Sequence, residues 1–243
     1  MKKLFTWLLL AVIVMMATVP ACARAGSALN GSGIIVNQDI DVTGFNSVDV
    51  QGNFHVTIKK ADNFQVTVTA DDNLVNRVVV VLDHKTLKLS VEAPSTFFPT
   101  TFSIAVAMPE ITGLKLTAGA GATLAGFKSP QPFSLFLADK STLDGEIDAG
   151  SVNFNLSGAS KVILKGGADQ MELIAVDNSK LDLSNFALML ATVNLDKASE
   201  AIVNVSGQFD VTLNHESKIY FLGNPIFTNT SVANGSSMSM VQK

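Results

Sequence analysis

The segment Ser151–Leu164, SVNFNLSGASKVIL, contains the pattern that decides the fold. Apolar residues alternate with polar ones on both sides of a short polar break, which places every second side chain on one face of a strand. The break ends at Ser160, and an apolar residue, Val162, follows two positions later. The segment therefore reads as two short strands joined by a tight turn.

This pair of a small and an apolar residue recurs along the second half of the chain. It occurs at Ala122/Leu124, Ser141/Leu143, Ser160/Val162, Ser179/Leu181, Ser199/Ala201, Ser217/Ile219 and Ser236/Met238, with successive spacings of 19, 19, 19, 20, 18 and 19 residues. A unit of this length cannot bury an apolar face alone, whereas stacked copies form one continuous core. We therefore expect an all-β fold, a right-handed parallel β-helix or β-solenoid with about seven rungs of roughly 19 residues.

The residues eight, six and four positions before each marker are mostly apolar, and they are the expected core. They are Leu114, Leu116 and Ala118; Phe133, Leu135 and Leu137; Val152, Phe154 and Leu156; Met171, Leu173 and Ala175; Ala191, Val193 and Leu195; Phe209, Val211 and Leu213; and, more weakly, Thr228, Thr230 and Val232. Each buried Leu, Val or Phe contributes roughly 1.5–3 kcal/mol. Between these strands we predict tight turns at Asp139-Lys140, Asp177-Asn178, His215-Glu216 and Asn234-Gly235.

Residues 26–110 show shorter alternating segments with longer connections. They predict N-terminal β-strands that form a meander and cap the first rung. The solenoid repeats are expected over 111–243, and residues 26–243 are expected to form one continuous domain. A hairpin through Asp83–Thr86 is part of this meander. An open solenoid edge invites aggregation, so a cap at this position has a physical purpose.

The N-terminus indicates export from the cell. Lys2 and Lys3 precede an apolar run, and Ala23-Arg24-Ala25 matches a small-x-small cleavage site, so we predict a signal peptide over residues 1–25. The run is too short for a membrane span. The expected location is the periplasm or the bacterial cell surface. The alternative is an outer-membrane lipoprotein attached through Cys22, which follows a degraded lipobox.

Composition excludes several classes of function for the mature chain. Removing residues 1–25 takes away Lys2, Lys3, Arg24 and Cys22, which leaves 14 basic residues against 21 acidic ones and a net charge of minus seven. A chain without cysteine has neither a disulfide nor a thiolate ligand. Its acidic balance argues against nucleic acid and against anionic membrane surfaces as partners.

Several segments resemble the bacterial "putative auto-transporter adhesin, head GIN domain" family, which is also catalogued as a domain of unknown function. They are Gly31-Ser32-Gly33, residues 45–58, residues 64–74, residues 87–91, Gly119–Ala122 and residues 220–225. The resemblance covers nearly the whole mature chain. It implies an exported, largely β-helical protein with no established biochemical activity.

Candidate catalytic and metal-binding residues do not form a recognised constellation, so we expect no catalytic, metal or cofactor-binding residues. His55 lies in a strand, and His84 and His215 lie in predicted turns, without the spacing of a metal site or a triad. Two carboxylate pairs, Asp144/Asp182 and Asp139/Asp177, lie on one predicted face but two rungs apart, with Ile163 and Gly158 between them. Calcium is weakly indicated, because Gly166-Gly167-Ala168-Asp169 occurs only once.

The serines of the marker predict a structural column inside the corner, with hydroxyls hydrogen-bonded along it.

Outward positions favour a binding role or simple solvation. Asn153, Asn155, Ser157, Thr192, Asn194 and Thr212 form a polar, lightly charged sheet face. Shallow polar faces of this kind bind glycans, and they also occur as ordinary solvated strands. Phe136 and Phe186 are the predicted exposed apolar exceptions on the surface, which would favour a partner site if they cluster.

Three hypotheses about function follow. The first is a non-enzymatic, exported, adhesin-like module that contacts a macromolecule or a glycan at the cell envelope. The second is a polysaccharide-active β-helix enzyme that uses surface Asp residues. The third is a purely structural envelope protein that associates with itself through the last rung, where Met238 and Met240 lie on an uncovered edge.

Overall fold

The computed structural model describes residues 29–92, 97–98 and 101–241, and the predicted signal peptide and Cys22 lie outside them. Strands make up nearly all of the regular structure, with one 3-10 turn at Val75–Arg77. The N-terminal strands are β1 (Leu29–Asn30), β2 (Ile35–Ile40), β3 (Ser47–Gln51), β4 (His55–Lys60), β5 (Gln65–Asp71), β6 (Val78–Asp83), β7 (Thr86–Val91), β8 (Phe97–Phe98) and β9 (Phe102–Met108). The repeat strands are β10 (Gly113–Thr117), β11 (Gly121–Lys128), β12 (Phe133–Leu137), β13 (Thr142–Leu156), β14 (Lys161–Ala175), β15 (Lys180–Leu195), β16 (Glu200–Val205), β17 (Gln208–Leu213), β18 (Lys218–Leu222), β19 (Ile226–Val232) and β20 (Ser237–Met240).

The repeat strands coil into a parallel β-solenoid, which confirms the predicted fold class. Each rung contributes one strand to a front sheet and one to a rear sheet. The front sheet contains β10, β12, the second halves of β13, β14 and β15, then β17 and β19, all paired in parallel. The rear sheet contains β11, the first halves of β13, β14 and β15, then β16, β18 and β20.

Like residues stack from rung to rung inside this coil. One column in the front sheet runs in register through Val48, Leu114, Leu135, Phe154, Leu173, Val193 and Val211, and all seven are buried. Because parallel strands lie about 4.8 Å apart, each side chain packs directly on its equivalents above and below. The apolar alternation seen in the sequence thus becomes a continuous hydrophobic core.

The corners between front and rear strands are pairs of residues with positive φ. Asp139 and Lys140 have φ angles of 58° and 64°, and the predicted turns at 177–178, 215–216 and 234–235 have the same left-handed geometry. Each corner also donates a backbone hydrogen bond to the next, for example from Lys140 N to Gly158 O at 2.8 Å. The predicted turn positions are therefore confirmed.

The marker serines fill the inside of these corners. Ser141, Ser160, Ser179, Ser199 and Ser217 are fully buried. The hydroxyls of Ser141, Ser160 and Ser179 donate to the carbonyl three residues earlier at 2.6–2.8 Å, and Ser179 N donates to Ser199 Oγ at 3.3 Å. The buried position inside the corner is the one expected from the sequence. The hydroxyls do not bond one another along the column as expected: three of them close their own corners, and the bonds to the next rung come from the backbone N–H groups of Ser179 and Ser217. Ser217 Oγ is buried without a hydrogen-bond partner in the described part of the chain.

Two register details differ from the sequence analysis. Ala120, not Ala122, occupies the position of Ser141, because Ala122 pairs with Leu143, so the first predicted marker is wrong by two residues. Phe186 is fully buried rather than exposed, and its ring lies 6.5 Å from that of Phe154. The cause is the extra residue between Ser179 and Ser199. It forms a bulge in β15, where Leu183 and Ser184 lie opposite the single residue Leu164 of β14, and it turns the following side chains of β15 to the opposite face.

The N-terminal region supplies two further rungs as well as a cap, and these rungs stack out of chain order. β3 pairs in parallel with β10 on one side and with β7 on the other. β4 lies in the same way between β11 and β9. The rung of β3 and β4 is therefore placed between a later rung, β7 with β9, and the first repeat rung.

Antiparallel strands close this N-terminal end. β6 extends the front sheet beyond β7, while β5 and then β2 extend the rear sheet beyond β9. The fully buried Asp71 at the end of β5 accepts a hydrogen bond from Gly33 N at 2.8 Å. A Cβ on Gly31 would lie 2.5 Å from the Asp71 carboxylate, so this loop packs closely against the carboxylate.

Candidate binding groove on the front sheet

A line of polar and aromatic side chains crosses the outer side of the front sheet at its N-terminal half. Lys88, Asp49, Lys115, Phe136 and Asn155 occupy the same outward position in five successive rungs. Their order follows from the out-of-order stacking, which places β7 and β3 directly below β10 and β12. Residues that are far apart in the sequence therefore form one column on the surface.

A glycine makes this part of the sheet concave. In the neighbouring outward column, Gly113 lies between Ser47 and Ser134, so one rung has no side chain there. The result is a groove of about 540 Å³, open to solvent, whose walls include Asp49, Lys88 and Phe136. A Cβ on Gly113 would lie 3.0 Å from Ser47 Oγ, so a larger residue would begin to fill the depression.

Charged side chains of alternating sign occupy the end of the groove near the cap. Lys88 Nζ lies 2.6 Å from Asp83 Oδ2, and Lys115 Nζ lies 3.1 Å from Asp49 Oδ2. The hydrogen bond from Lys88 lowers the pKa of Asp83, and the same bond raises the pKa of Lys88. Both groups therefore remain charged at neutral pH, and the groove presents paired donors and acceptors with little net charge.

The other end of the groove is formed by Phe136, Asn153 and Asn155. The Phe136 side chain is 38% exposed, as the sequence predicts. Asn153 is exposed, and its Nδ2 donates to Glu172 Oε2 at 3.1 Å. An exposed aromatic ring thus lies between two amides on one side and a charged column on the other.

The remaining polar residues of the predicted face lie further along the front sheet. Asn155 pairs with Ile174 and then Asn194 and Thr212, while Asn153 pairs with Glu172 and then Thr192. Ser157 accompanies them beside the corner. The predicted polar face is therefore present, and the groove lies at its N-terminal part.

The three histidines lie apart from one another, and only His84 adjoins the groove, through its contact with Asp83 at 2.8 Å. His55 Nε2 lies 2.9 Å from Thr123 Oγ1, His84 is beside Asp83, and His215 Nδ1 lies 2.6 Å from Asp196 Oδ1. Within the described ranges, no three His, Cys, Asp or Glu side chains converge to hold a metal ion.

The carboxylates singled out in the sequence stay separated. Asp144 and Asp182 both pair with Ile163, which lies between them, so two strand spacings of about 4.8 Å separate their backbones. Asp177 is bound by Lys197 at 3.1 Å. Gly166, from the weak calcium motif, has φ of 115°, and a Cβ there would lie 2.1 Å from Ile147 O. That glycine is explained by close backbone packing at a bend.

Sequence reasoning missed Asp49, Asp83, Lys88 and Gly113 as parts of a site. Asp49, Asp83 and Lys88 lie in strand and hairpin patterns like any other, before the repeat begins, and Gly113 lies at the start of the first repeat strand without a distinguishing pattern. The available signal was in residues 47–60, where two alternating segments separated by a short break resemble the two strands of a repeat rung. Its position between two later segments is a property of the tertiary structure alone.

The comparisons with known proteins agree with this architecture. The family model described as "Putative auto-transporter adhesin, head GIN domain" matches residues 44–225. The chain belongs to this family. The segment Gly31-Ser32-Gly33, in which the sequence also resembles the family, precedes the matched residues. It contacts Asp71–Asn73 at the capped end, where Ser32 N donates to Asn73 Oδ1 at 3.1 Å. No curated protein matches the chain.

Solved structures share the fold of this head GIN domain protein at low sequence identity. A putative adhesin from Bacteroides fragilis NCTC 9343 has a TM-score of 0.79 and 15% identity, covering 88% of this chain and 99% of its own. A putative adhesin from Parabacteroides merdae ATCC 43184 has a TM-score of 0.70 and 12% identity, over 89% and 100% of the two chains. A structure described as a putative lipid binding protein from Parabacteroides distasonis ATCC 8503 has a TM-score of 0.69 and 15% identity, with the same coverage. In the described part of the chain, no helix has the length and hydropathy needed to cross a membrane.

Proposed function

We propose that this protein is a non-enzymatic, exported binding module of the cell envelope that holds a glycan in the groove around Phe136. The single observation that carries the proposal is the exposed Phe136 ring in a groove that is also lined by charged and amide side chains. The family description and the signal-like N-terminus support a location outside the cytoplasm.

The groove offers the two kinds of contact that a sugar ring needs. An aromatic face packs against the apolar C–H face of a pyranose, while hydroxyl groups need donors and acceptors beside it. Asn153 and Asn155 carry amides that provide both, and the Lys115–Asp49 pair adds a charged donor and acceptor at 3.1 Å from each other. The groove is open to solvent along the sheet, which suits a chain of sugars better than a small enclosed ligand.

The state of the carboxylates in the groove favours binding over hydrolysis. A general acid in a glycosidase needs a raised pKa so that it holds a proton near neutral pH. In this groove the pKa of Asp83 is lowered by the hydrogen bond from Lys88, and Asp49 is paired with Lys115. These carboxylates serve as acceptors of hydrogen bonds in the proposed role.

The test is a glycan array with the purified chain, followed by titration of the strongest ligands. Phe136→Ala removes the ring and is expected to weaken binding at least tenfold, because a stacked aromatic residue of this kind is a central anchor. The matched control is Ile174→Ala. Ile174 occupies the same outward column two rungs away, with 39% exposure, and it does not line the groove.

The outcomes separate the hypotheses. Binding that is lost in Phe136→Ala and kept in Ile174→Ala supports the proposal. Equal loss in both variants, or no binding above that of an unrelated acidic solenoid, contradicts it. Product release from any glycan on the array, abolished by Asp49→Asn or Asp83→Asn, would make the protein an enzyme instead.

A further inference from the structure

The C-terminal end of the solenoid is an open section through the hydrophobic core. β19 and β20 form the last rung and pair only with β17 and β18, so within the described residues no strand pairs with their outer edges. Phe227 packs on Phe209 and Phe221, with ring centroids 5.5 and 5.4 Å apart, yet it remains 40% exposed. Val232 at the other end of β19 and Met240 on β20 are also exposed. Both apolar side chains and backbone hydrogen-bonding groups are therefore left uncovered at this end.

We propose that this open end pairs with the same end of a second copy of the chain, across a two-fold axis, so that the edge strands of the two last rungs form antiparallel pairs. A two-fold contact uses one surface patch twice, so residues near the axis face their own copies. Charged residues there would face like charges. The strands Ile226–Val232 and Ser237–Met240 contain no charged residue, which makes the end compatible with itself.

The opposite end of the solenoid does not fit this surface. There the front sheet is extended by one strand, β6, while the rear sheet is extended by two, β5 and β2. At that end the rear sheet therefore extends one strand, about 4.8 Å, beyond the front sheet. At the C-terminal end β19 and β20 belong to one rung, so both sheets end at the same height. Head-to-tail stacking would satisfy only one of the two edges. The capped edges also carry Asp39 on β2 and Asp83 on β6, which the uncharged C-terminal end does not complement.

The test measures mass and shape of the purified chain over a range of concentrations. Sedimentation equilibrium is expected to show a monomer–dimer equilibrium, and small-angle scattering is expected to show a dimer about twice as long as the monomer. Met240→Lys places one lysine on each of the two joined ends and is expected to weaken association at least tenfold, because both apolar ends then carry the same charge. Met189→Lys is the matched control, because Met189 has 58% exposure against 54% for Met240 and lies in a central rung.

Each outcome decides the proposal. A wild-type dimer of doubled length that Met240→Lys weakens and Met189→Lys leaves unchanged supports it. A monomer at every concentration, a dimer no longer than the monomer, a ladder of higher polymers, or equal weakening by both lysines overturns it. Unchanged circular dichroism spectra and melting temperatures in both variants show that a loss of association is not a loss of fold. Val232→Lys places a charge at a second position of the same end and is expected to weaken association in the same way. Glycan binding by Phe136→Ala and Ile174→Ala is measured separately, so the two proposals fail independently.

Discussion

The N-terminal end of the solenoid is covered by three antiparallel strands, β2, β5 and β6, whereas the C-terminal end finishes on a bare rung. At the first end, the side chains of the first rung, including Leu87, Leu89, Ile104 and Val106, are as buried as those in the centre. At the second end, the core positions Phe227 and Val232 of the last rung remain 40% and 43% exposed. The same stacking therefore gives a finished core on one side and an unfinished core on the other.

This difference shows what a solenoid needs at its ends. A central rung is covered on both sides by copies of itself, so its sequence has only to repeat. A terminal rung must find a different neighbour. The N-terminal end obtains one by reversing the chain through Asp71–Asn73 and fixing the turn with a buried carboxylate and the Gly31–Gly33 loop. The C-terminal end has no comparable element among the described residues.

The largest effect is expected when one charge is placed in matched positions of a central and a terminal rung. Leu213 and Val232 pair in register in adjacent rungs, the first fully buried and the second 43% exposed. Leu213→Lys should destabilise the fold by at least about 4 kcal/mol, because it buries an unpaired charge in the core. Val232→Lys should change stability by less than about 1 kcal/mol, as at other exposed sites.

Urea unfolding at low protein concentration measures both free energies. Leu213→Ala is a third variant that separates the loss of apolar contacts from the cost of the charge. Similar losses for the two lysine variants would show that the last rung is as well covered as the rung before it, and the contrast between the ends would then be wrong.

The capped end is tested by removing its carboxylate, with an intermediate expected effect. Asp71→Ala leaves Gly33 N without its acceptor and should cost about 2–4 kcal/mol, since a hydrogen bond of a buried side chain is lost and its donor is left unpaired. Asp72→Ala is the matched control. Asp72 is the next residue and is exposed, and its Oδ1 accepts from Ser32 Oγ at 2.5 Å, so its loss should cost less than about 1 kcal/mol.

Guanidinium unfolding followed by circular dichroism gives the two values. Hydrogen exchange in β2 and β5 should rise in Asp71→Ala before exchange in the central rungs rises, because the cap is expected to open locally. If both variants cost the same, the carboxylate of Asp71 does not hold the cap.

Much of the fold was accessible from the sequence, because the repeat and the period-two alternation are both local signals. They predicted the parallel solenoid, the corner at Asp139-Lys140 and the serine column. The prediction was wrong where the spacing departs from the repeat. The first marker was placed two residues late at Ala122, and the extra residue after Ser179 hid the bulge that buries Phe186.

The groove could be predicted only in part from the sequence, because the order in which the strands stack brings its residues together. Asn153, Asn155 and Phe136 were predicted as outward residues from alternation alone, and the structure places all three in the groove. Their neighbours Asp49 and Lys88 join them because the β3–β4 rung is inserted below the repeat and β7 below that. Stacking out of chain order leaves no periodic trace in a single sequence, so no spacing argument could have connected Lys88 to Phe136.

The smallest expected effect concerns the contact that holds the bare rung to the rung before it. Asp210 accepts hydrogen bonds from Thr228 Oγ1 and from Asn229 N, the latter at 2.9 Å. The bond from Thr228 is the main cause of a lowered pKa for Asp210, below its ordinary value of 3.8. A carboxylate with a lowered folded pKa stabilises the fold above the unfolded value and loses that contribution as the pH falls through the folded value. The difference in melting temperature between wild type and Asp210→Asn should therefore be constant from pH 7 to about pH 5 and shrink below pH 3.8.

Asp144→Asn removes an exposed carboxylate in a central rung and controls for the change in net charge. A difference for Asp210→Asn that grows toward low pH would have the wrong sign, and the carboxylate would then not be the group that fastens the last rung.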